Sequence, residues 1–249
     1  MPRGQCTGHA HSHLPFGFEV RRTHRVCPSL IRPVCRDNDV VSKPSHTWTN
    51  TTHDWARTVD SEHLARIRDE PDVFAAGGTA HLILEVLAYA AEEAESTRTA
   101  GRCQVTLHAD GSVSVADNGR GSDTRHDANG QPVRKPIMAT KDLRFFDHPD
   151  AQQLPDGHPR RGMSTVAALS QWMIHTNRRR NGAWTQRYEH GIPVTGLLSI
   201  PGDGATGTTV HFLPADNVRS TQALSPVIRR RLAATWPQLL IEVIDERMI

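Results

Sequence analysis

Apolar positions divide the chain into blocks of two different periods. Residues 80–96 are apolar on most sides of a helix, with Leu82, Ile83, Leu84, Val86, Leu87, Ala88, Tyr89 and Ala90 in near succession. A helix of that pattern is buried on more than one face, so its one early charge, Glu85, needs a reason. Glu92 and Glu93 stand nearer its wet end. Val105 and Leu107, then Val113 and Val115, alternate with polar residues around Asp110-Gly111. That is the pattern of a hairpin whose two-residue turn has two positive-φ positions. A second hairpin is expected from 172–176 and 184–188 around Asn181-Gly182, with further strands at 194–200 and 208–212. Upstream, Asp60-Ser61-Glu62 caps a short helix over 63–69 that Pro71 ends, and Thr79 caps the long helix. Met163 to Ser170 reads as helical. A helix over 225–235 and a strand over 239–244 close the order. Between 122 and 161 the chain is polar and rich in Gly and Pro, beyond one short helix at 136–146. Such a long segment in a compact domain is a lid or disorder. The mixture predicts an α+β fold, with helices on one face of a mixed, largely antiparallel sheet.

Composition changes this picture little. Lys and Arg number 29 against 27 Asp and Glu, so the net charge of +2 makes no case for direct DNA or membrane binding. No apolar run reaches the roughly 18 to 20 residues of a spanning helix, and the N-terminus lacks the order of a signal peptide. A cytoplasmic protein is the expectation. Residues 1–55 scatter Pro, His, Arg and Thr without period and read as a disordered leader. Of the four cysteines none forms a CxxC pair, and His9, His11 and His13 near Cys6 suit a His-rich leader better than a metal site.

Chemistry enters with one run of residues. His108 to Val115, running into Asp117-Asn118-Gly119-Arg120-Gly121, resembles the second nucleotide motif of the GHKL ATPases, closest to the N-terminal ATPase domain of the B subunits of DNA gyrase and topoisomerase IV. Leu64 to Pro71, Tyr188 to Val194, Thr206-Gly207-Thr208-Thr209-Val210 and Glu242 to Arg247 agree with the same domain in order, so the resemblance covers 60–247. It implies a two-layer sandwich of the Bergerat type that binds ATP or ADP. Asp117 would accept the exocyclic amine of adenine, which guanine replaces by a carbonyl. Gly119 and Gly121 would let the backbone approach the purine, and Thr208 would share the adenine site through its hydroxyl.

The rest of the pattern departs from the family. In the helix motif, Glu85 takes the place of the general base that orients the attacking water. One turn later the family has an Asn that binds Mg²⁺, and this chain has Tyr89, a poor ligand for a cation that wants hard oxygens. Tyr89 reads as a core aromatic, no metal ligand is assigned, and Mg²⁺ loses its protein oxygen. Glu85 is then either a surviving base or a buried carboxylate with a local partner. The lid motif becomes Gly157-His158-Pro159-Arg160-Arg161-Gly162, keeping its outer glycines. Arg160 and Arg161 either clamp phosphates or form a basic, solvated loop. The expectation is an adenine-nucleotide-binding domain with weak or no hydrolysis. An active ATPase working in trans with a type II topoisomerase, and a non-catalytic interaction module, stay open beside it. So do a protein partner and a homodimer. The transducer and DNA-cleavage domains of gyrase B do not fit in this length, so the chain is not expected to pass DNA by itself.

Overall fold

The computed structural model describes residues 59–248, apart from 127, 130, 131, 134, 135, 149, 181 and 221–223. The expected leader at 1–55 lies outside the described residues.

The first helix, α1 (Ser61–Asp69), starts on Asp60, whose carboxylate accepts the His63 N–H at 3.1 Å. Pro71 opens α2 (Pro71–Phe74), where a missing N–H would have had no helical partner. The long helix α3 (Thr79–Thr97) is buried along its first three turns, as its composition predicts. Its cap is Gly78 rather than Thr79. The Thr79 hydroxyl instead donates to the Val218 carbonyl at 3.1 Å and accepts the Ser220 N–H at 3.0 Å. A contact far away in sequence has taken the side chain that local pattern assigned to the helix end.

The strands are β1 (Gly101–Leu107), β2 (Val113–Asp117), the short pair β3 (Arg125–His126) and β4 (Pro132–Val133), then β5 (Ser170–Arg179), β6 (Gly182–Glu189), β7 (Ile192–Pro193), β8 (Leu198–Ser199), β9 (Gly207–Pro214) and β10 (Leu239–Asp245). Between them lie α4 (Met163–Ala168) and α5 (Pro226–Thr235), the latter capped by Ser225. All but β3 and β4 join one eight-stranded sheet in the order β10-β1-β2-β9-β5-β6-β7, with β8 also on β6. Its ladders are antiparallel except for β1 with β10, which run parallel from Gly101 beside Leu239 to Leu107 beside Asp245. Cys103, Val105, Leu107, Val113, Val115, Met173, Val210 and Phe212 point to one face, where α3, α4, the buried Leu232 of α5 and Trp236 just after it cover them in a single core. This is the α+β arrangement with helices on one face.

Three local expectations fail for identifiable reasons. The turn after β1 has three residues, since the His108 N–H reaches the Ser112 carbonyl at 2.9 Å. In it only Gly111 has positive φ, and Asp110 accepts the Ser112 N–H and hydroxyl. The strand expected at 194–200 is reduced to the two residues of β8. The helix expected at 136–146 is a single 3₁₀ turn over Pro136–Met138. Downstream, the Asp142 carboxylate accepts the Arg144 N–H at 3.0 Å, a side-chain-to-backbone bond that competes with helix propagation.

Candidate nucleotide site

Asp117 is the last residue of β2, on the face that the helices cover, and one register step from the loop at Gly119. Its Oδ1 accepts the Gly119 N–H at 2.8 Å, and Thr208 of β9 gives it both a backbone N–H and a hydroxyl. Burial lifts the Asp117 carboxyl above its ordinary range, and the hydrogen bonds from Gly119 and Thr208 only partly oppose this. The loop is fixed from both sides. Arg120 forks onto Glu93 of α3 at 2.7 and 3.0 Å. The buried Asn177 of β5 accepts the Ser122 N–H at 2.6 Å and donates to the Ser122 carbonyl at 3.1 Å. Gly119 has an ordinary φ, so its role is closeness: a Cβ there would stand 2.7 Å from Cγ of Glu93. Gly121, at φ +72°, has the left-handed backbone expected of it.

Over Asp117 opens a cavity of about 350 Å³ walled by Val86, Ala90, Met138, Met163 and Val210, with Thr208 beside the carboxylate. Apolar walls around a few aimed polar groups are the ordinary composition of a small-molecule site. These residues fit a purine.

The other end of the cavity is built differently. The Tyr89 ring lines it and its hydroxyl donates to Asp142 at 2.8 Å. Burial, reinforced by the Asp142 charge, pushes the phenol well above its usual range, so it remains a donor. Arg144 grips Asp142 at 2.9 and 3.1 Å and reaches Glu92 at 3.2 Å. Arg160 is fully buried, forked onto Glu92 at 2.7 and 3.1 Å, with its guanidinium 4.0 Å from the Phe145 ring centroid and 4.6 Å from that of Tyr89. A Mg²⁺ ion finds no hard oxygen at Tyr89, and the residues at this end do not fit a metal–triphosphate.

Glu85 is fully buried and does not line the cavity. It accepts the N–H groups of Arg161 and, at 2.9 Å, Gly162, the residue that leads into α4. His81, one turn earlier on α3, places Nε2 3.4 Å from Glu85 and Nδ1 2.7 Å from Asp156. Burial alone would strip this imidazole of its proton, but the hydrogen bond to Asp156 and the adjacent Glu85 carboxylate outweigh it and raise the pKa to about 9. The unfolded chain releases that proton near pH 6.5. The linked stability is therefore fully present below pH 6.5 and drains as the pH rises through about 9, by an amount on the order of 3 kcal/mol. Urea midpoints measured across that window should fall for the native chain and stay nearly level for Asp156→Asn. Identical pH profiles for the two would remove His81 as the cause.

Of the residues singled out from sequence, the fold brings Asp117, Gly121 and Thr208 to one end of the cavity, with Gly119 behind Asp117 and bonded to it. Arg161, Gly162 and Glu85 meet behind it. Arg160 meets Glu92, and Gly157 sits in the turn between Leu154 and His158, away from the cavity wall. Sequence reasoning missed His81, Glu92, Asp142 and Asp156 as site residues. For His81 the signal was there, four positions before Glu85 on one helix face. For Asp142 and Asp156 nothing local announced it.

Among the described residues, no helix is long and apolar enough to cross a membrane. No protein-family model matches the chain. Curated proteins do. The DNA gyrase B subunit of Thermotoga maritima is 34% identical over 176 residues, 68% of this chain and 27% of that protein. The DNA topoisomerase 4 B subunit of Bacillus subtilis is 32% identical over 196 residues, 75% of this chain and 30% of its own length. The DNA gyrase B subunit of Mycolicibacterium smegmatis is 32% identical, covering 75% and 29%. The chain thus spans less than a third of each of these relatives. Over about two thirds to three quarters of its length, this chain is homologous to the B subunits of DNA gyrase and DNA topoisomerase 4.

Proposed function

We propose that the chain is an adenine-binding domain of the GHKL ATPase type, resembling the nucleotide domain of gyrase B, in which hydrolysis is weak or absent. One observation carries the reading: a carboxylate, Asp117, shared by the Gly119 N–H and Thr208, at the floor of a cavity with apolar walls. ATP and ADP are the nucleotides implied by the resemblance of the Asp117 and Thr208 runs to the GHKL ATPases. Against turnover stand Tyr89 in the metal position and Glu85, whose oxygens are taken up by lid backbone rather than facing the cavity. Titration calorimetry with adenine ligands, with and without Mg²⁺, tests the adenine site. Asp117→Asn replaces an acceptor oxygen by a donor, leaves the purine amine facing another N–H, and is expected to weaken binding by about 2 kcal/mol or more, roughly thirtyfold. Equal affinity in native and Asp117→Asn protein would exclude Asp117 as the adenine acceptor.

The sealed position of Glu85 also favours a second reading, a non-catalytic interaction module on the same fold. Thermal melting separates the two, because a ligand that binds only the folded state must raise the midpoint. A midpoint indifferent to every adenine ligand, together with a co-purifying protein, selects the module.

A further inference from the structure

We propose that the cavity selects against phosphate: it takes an uncharged adenine nucleoside in preference to ADP and ATP. This rests on the adenine reading of Asp117 and concerns what the other end of the same cavity accepts.

The first ground is charge. The described residues lining the cavity include three carboxylates, Glu92, Glu93 and Asp117, and no Lys or Arg. A nucleoside meets no penalty there. A triphosphate brings several negative charges into a partly desolvated space whose described lining supplies no Lys or Arg to balance them, Glu92 and Glu93 being matched by arginines already paired to them.

The second ground is that three of the cations nearby are already engaged, while Arg161 lies outside the cavity wall with its guanidinium 5.8 Å from the Phe74 ring centroid. Arg120 is forked onto Glu93, Arg144 is shared by Asp142 and Glu92, and Arg160 is clamped to Glu92 and Gln152. Each would have to give up a carboxylate to meet a phosphate. The backbone donors at the entry to α4 are in the same position, since the N–H groups of Arg161 and Gly162 end on Glu85. A carboxylate of the protein itself stands where an anion would be received.

The third ground is volume. Tyr89, held by Asp142 and stacked on Arg160, fills the position where the resemblance would have a metal-binding Asn, and its ring takes up space at that end of the cavity. Phenol, guanidinium and carboxylates form one connected network that is electrically complete without a ligand.

Calorimetric titration of the full chain with adenosine, ADP, ATP and ATP with Mg²⁺ tests the order. Affinity should drop with added phosphate, by at least about tenfold from adenosine to ATP, and Mg²⁺ should not restore it. Raising the salt concentration should bring ATP closer to adenosine by screening the repulsion; a phosphate clamp would do the opposite. Glu92→Gln releases Arg160 and Arg144 from their shared carboxylate, and its gain for ATP should exceed its gain for adenosine about tenfold. ATP binding tighter than adenosine, or tightening with Mg²⁺, overturns the phosphate selection while leaving the adenine site standing. So does a Glu92→Gln variant that shifts both ligands equally. Failure of every adenine ligand to bind overturns the adenine reading and this proposal with it.

Discussion

Gly121→Ala is expected to cost about 2 to 6 kcal/mol and to abolish the adenine site in whatever protein remains folded. Two effects add. The backbone at Gly121 has φ +72°, which an alanine adopts only under strain. The added Cβ would also be driven into the carbonyl of Arg178, with the Arg178 carbonyl carbon at 3.0 Å and Asn177 Oδ1 at 3.1 Å. Those atoms belong to β5, a strand paired on both sides by β6 and β9, so they cannot step away without breaking ladders. Movement of the loop itself is opposed by Asn177 and by Arg179, which donates to the Gly121 carbonyl at 2.8 Å. Against a total stability on the order of 5 to 15 kcal/mol, such a loss is large. Gly111→Ala is the control. It also has positive φ, +84°, but its added methyl meets nothing within 4 Å, so only the strain of about 1 to 2 kcal/mol remains. Equal urea midpoints for the two variants would show that contact with β5 is not what Gly121 avoids.

Glu85→Ala is expected to destabilise the fold by about 3 to 5 kcal/mol, a fall in melting midpoint on the order of 10 °C. The carboxylate is fully buried, and its loss leaves the Arg161 and Gly162 N–H groups without their acceptor. It also leaves the protonated His81 with Asp156 as its remaining carboxylate partner. A buried donor without an acceptor costs about 1 to 3 kcal/mol, and a buried cation short of a counter-charge adds to that. Glu85→Gln should fall between, because an amide supplies one acceptor oxygen and turns an NH₂ toward the second N–H. A general base facing a water-filled site would behave otherwise, with turnover lost and melting unchanged. A midpoint within a degree or two of the native one would return Glu85 to that role.

What the sequence disclosed and what it withheld divide along chain distance. Period and punctuation placed α1, α3, β1, β2, β5, β6, β9, α5 and β10, because each is a run long enough for its period to show. Some boundaries slipped because a distant partner set them, as where Val218 and Ser220 claim the Thr79 side chain, and others because a neighbouring carboxylate took the backbone, as Asp110 and Asp142 do. The pocket floor was legible for a related reason. Asp117 and Gly119 are local to one turn, and Thr208 arrives in its own recognisable run. The phosphate end was not legible, since Asp142, Asp156 and Arg160 come from a segment without period and meet α3 only in the folded chain. Arg160 could be read as a clamp or a solvated charge. The structure has it stacked between two rings and paired to Glu92, an arrangement neither alternative described.

The parallel ladder between β1 and β10 has a consequence during synthesis. β1 emerges from the ribosome early, and the strand that covers its outer edge is among the last described segments to be made. At a rate of about 5 to 20 residues per second, the edge of β1 waits on the order of ten seconds for its neighbour. Throughout that interval the nascent chain presents an unpaired strand carrying Cys103, Val105 and Leu107, a template for pairing with other chains. A stall or truncation before Leu239 would leave the sheet permanently open on that side, with Trp236 and Leu232 robbed of the surface they cover. β10 thus decides when the nascent sheet closes on that side rather than staying sticky.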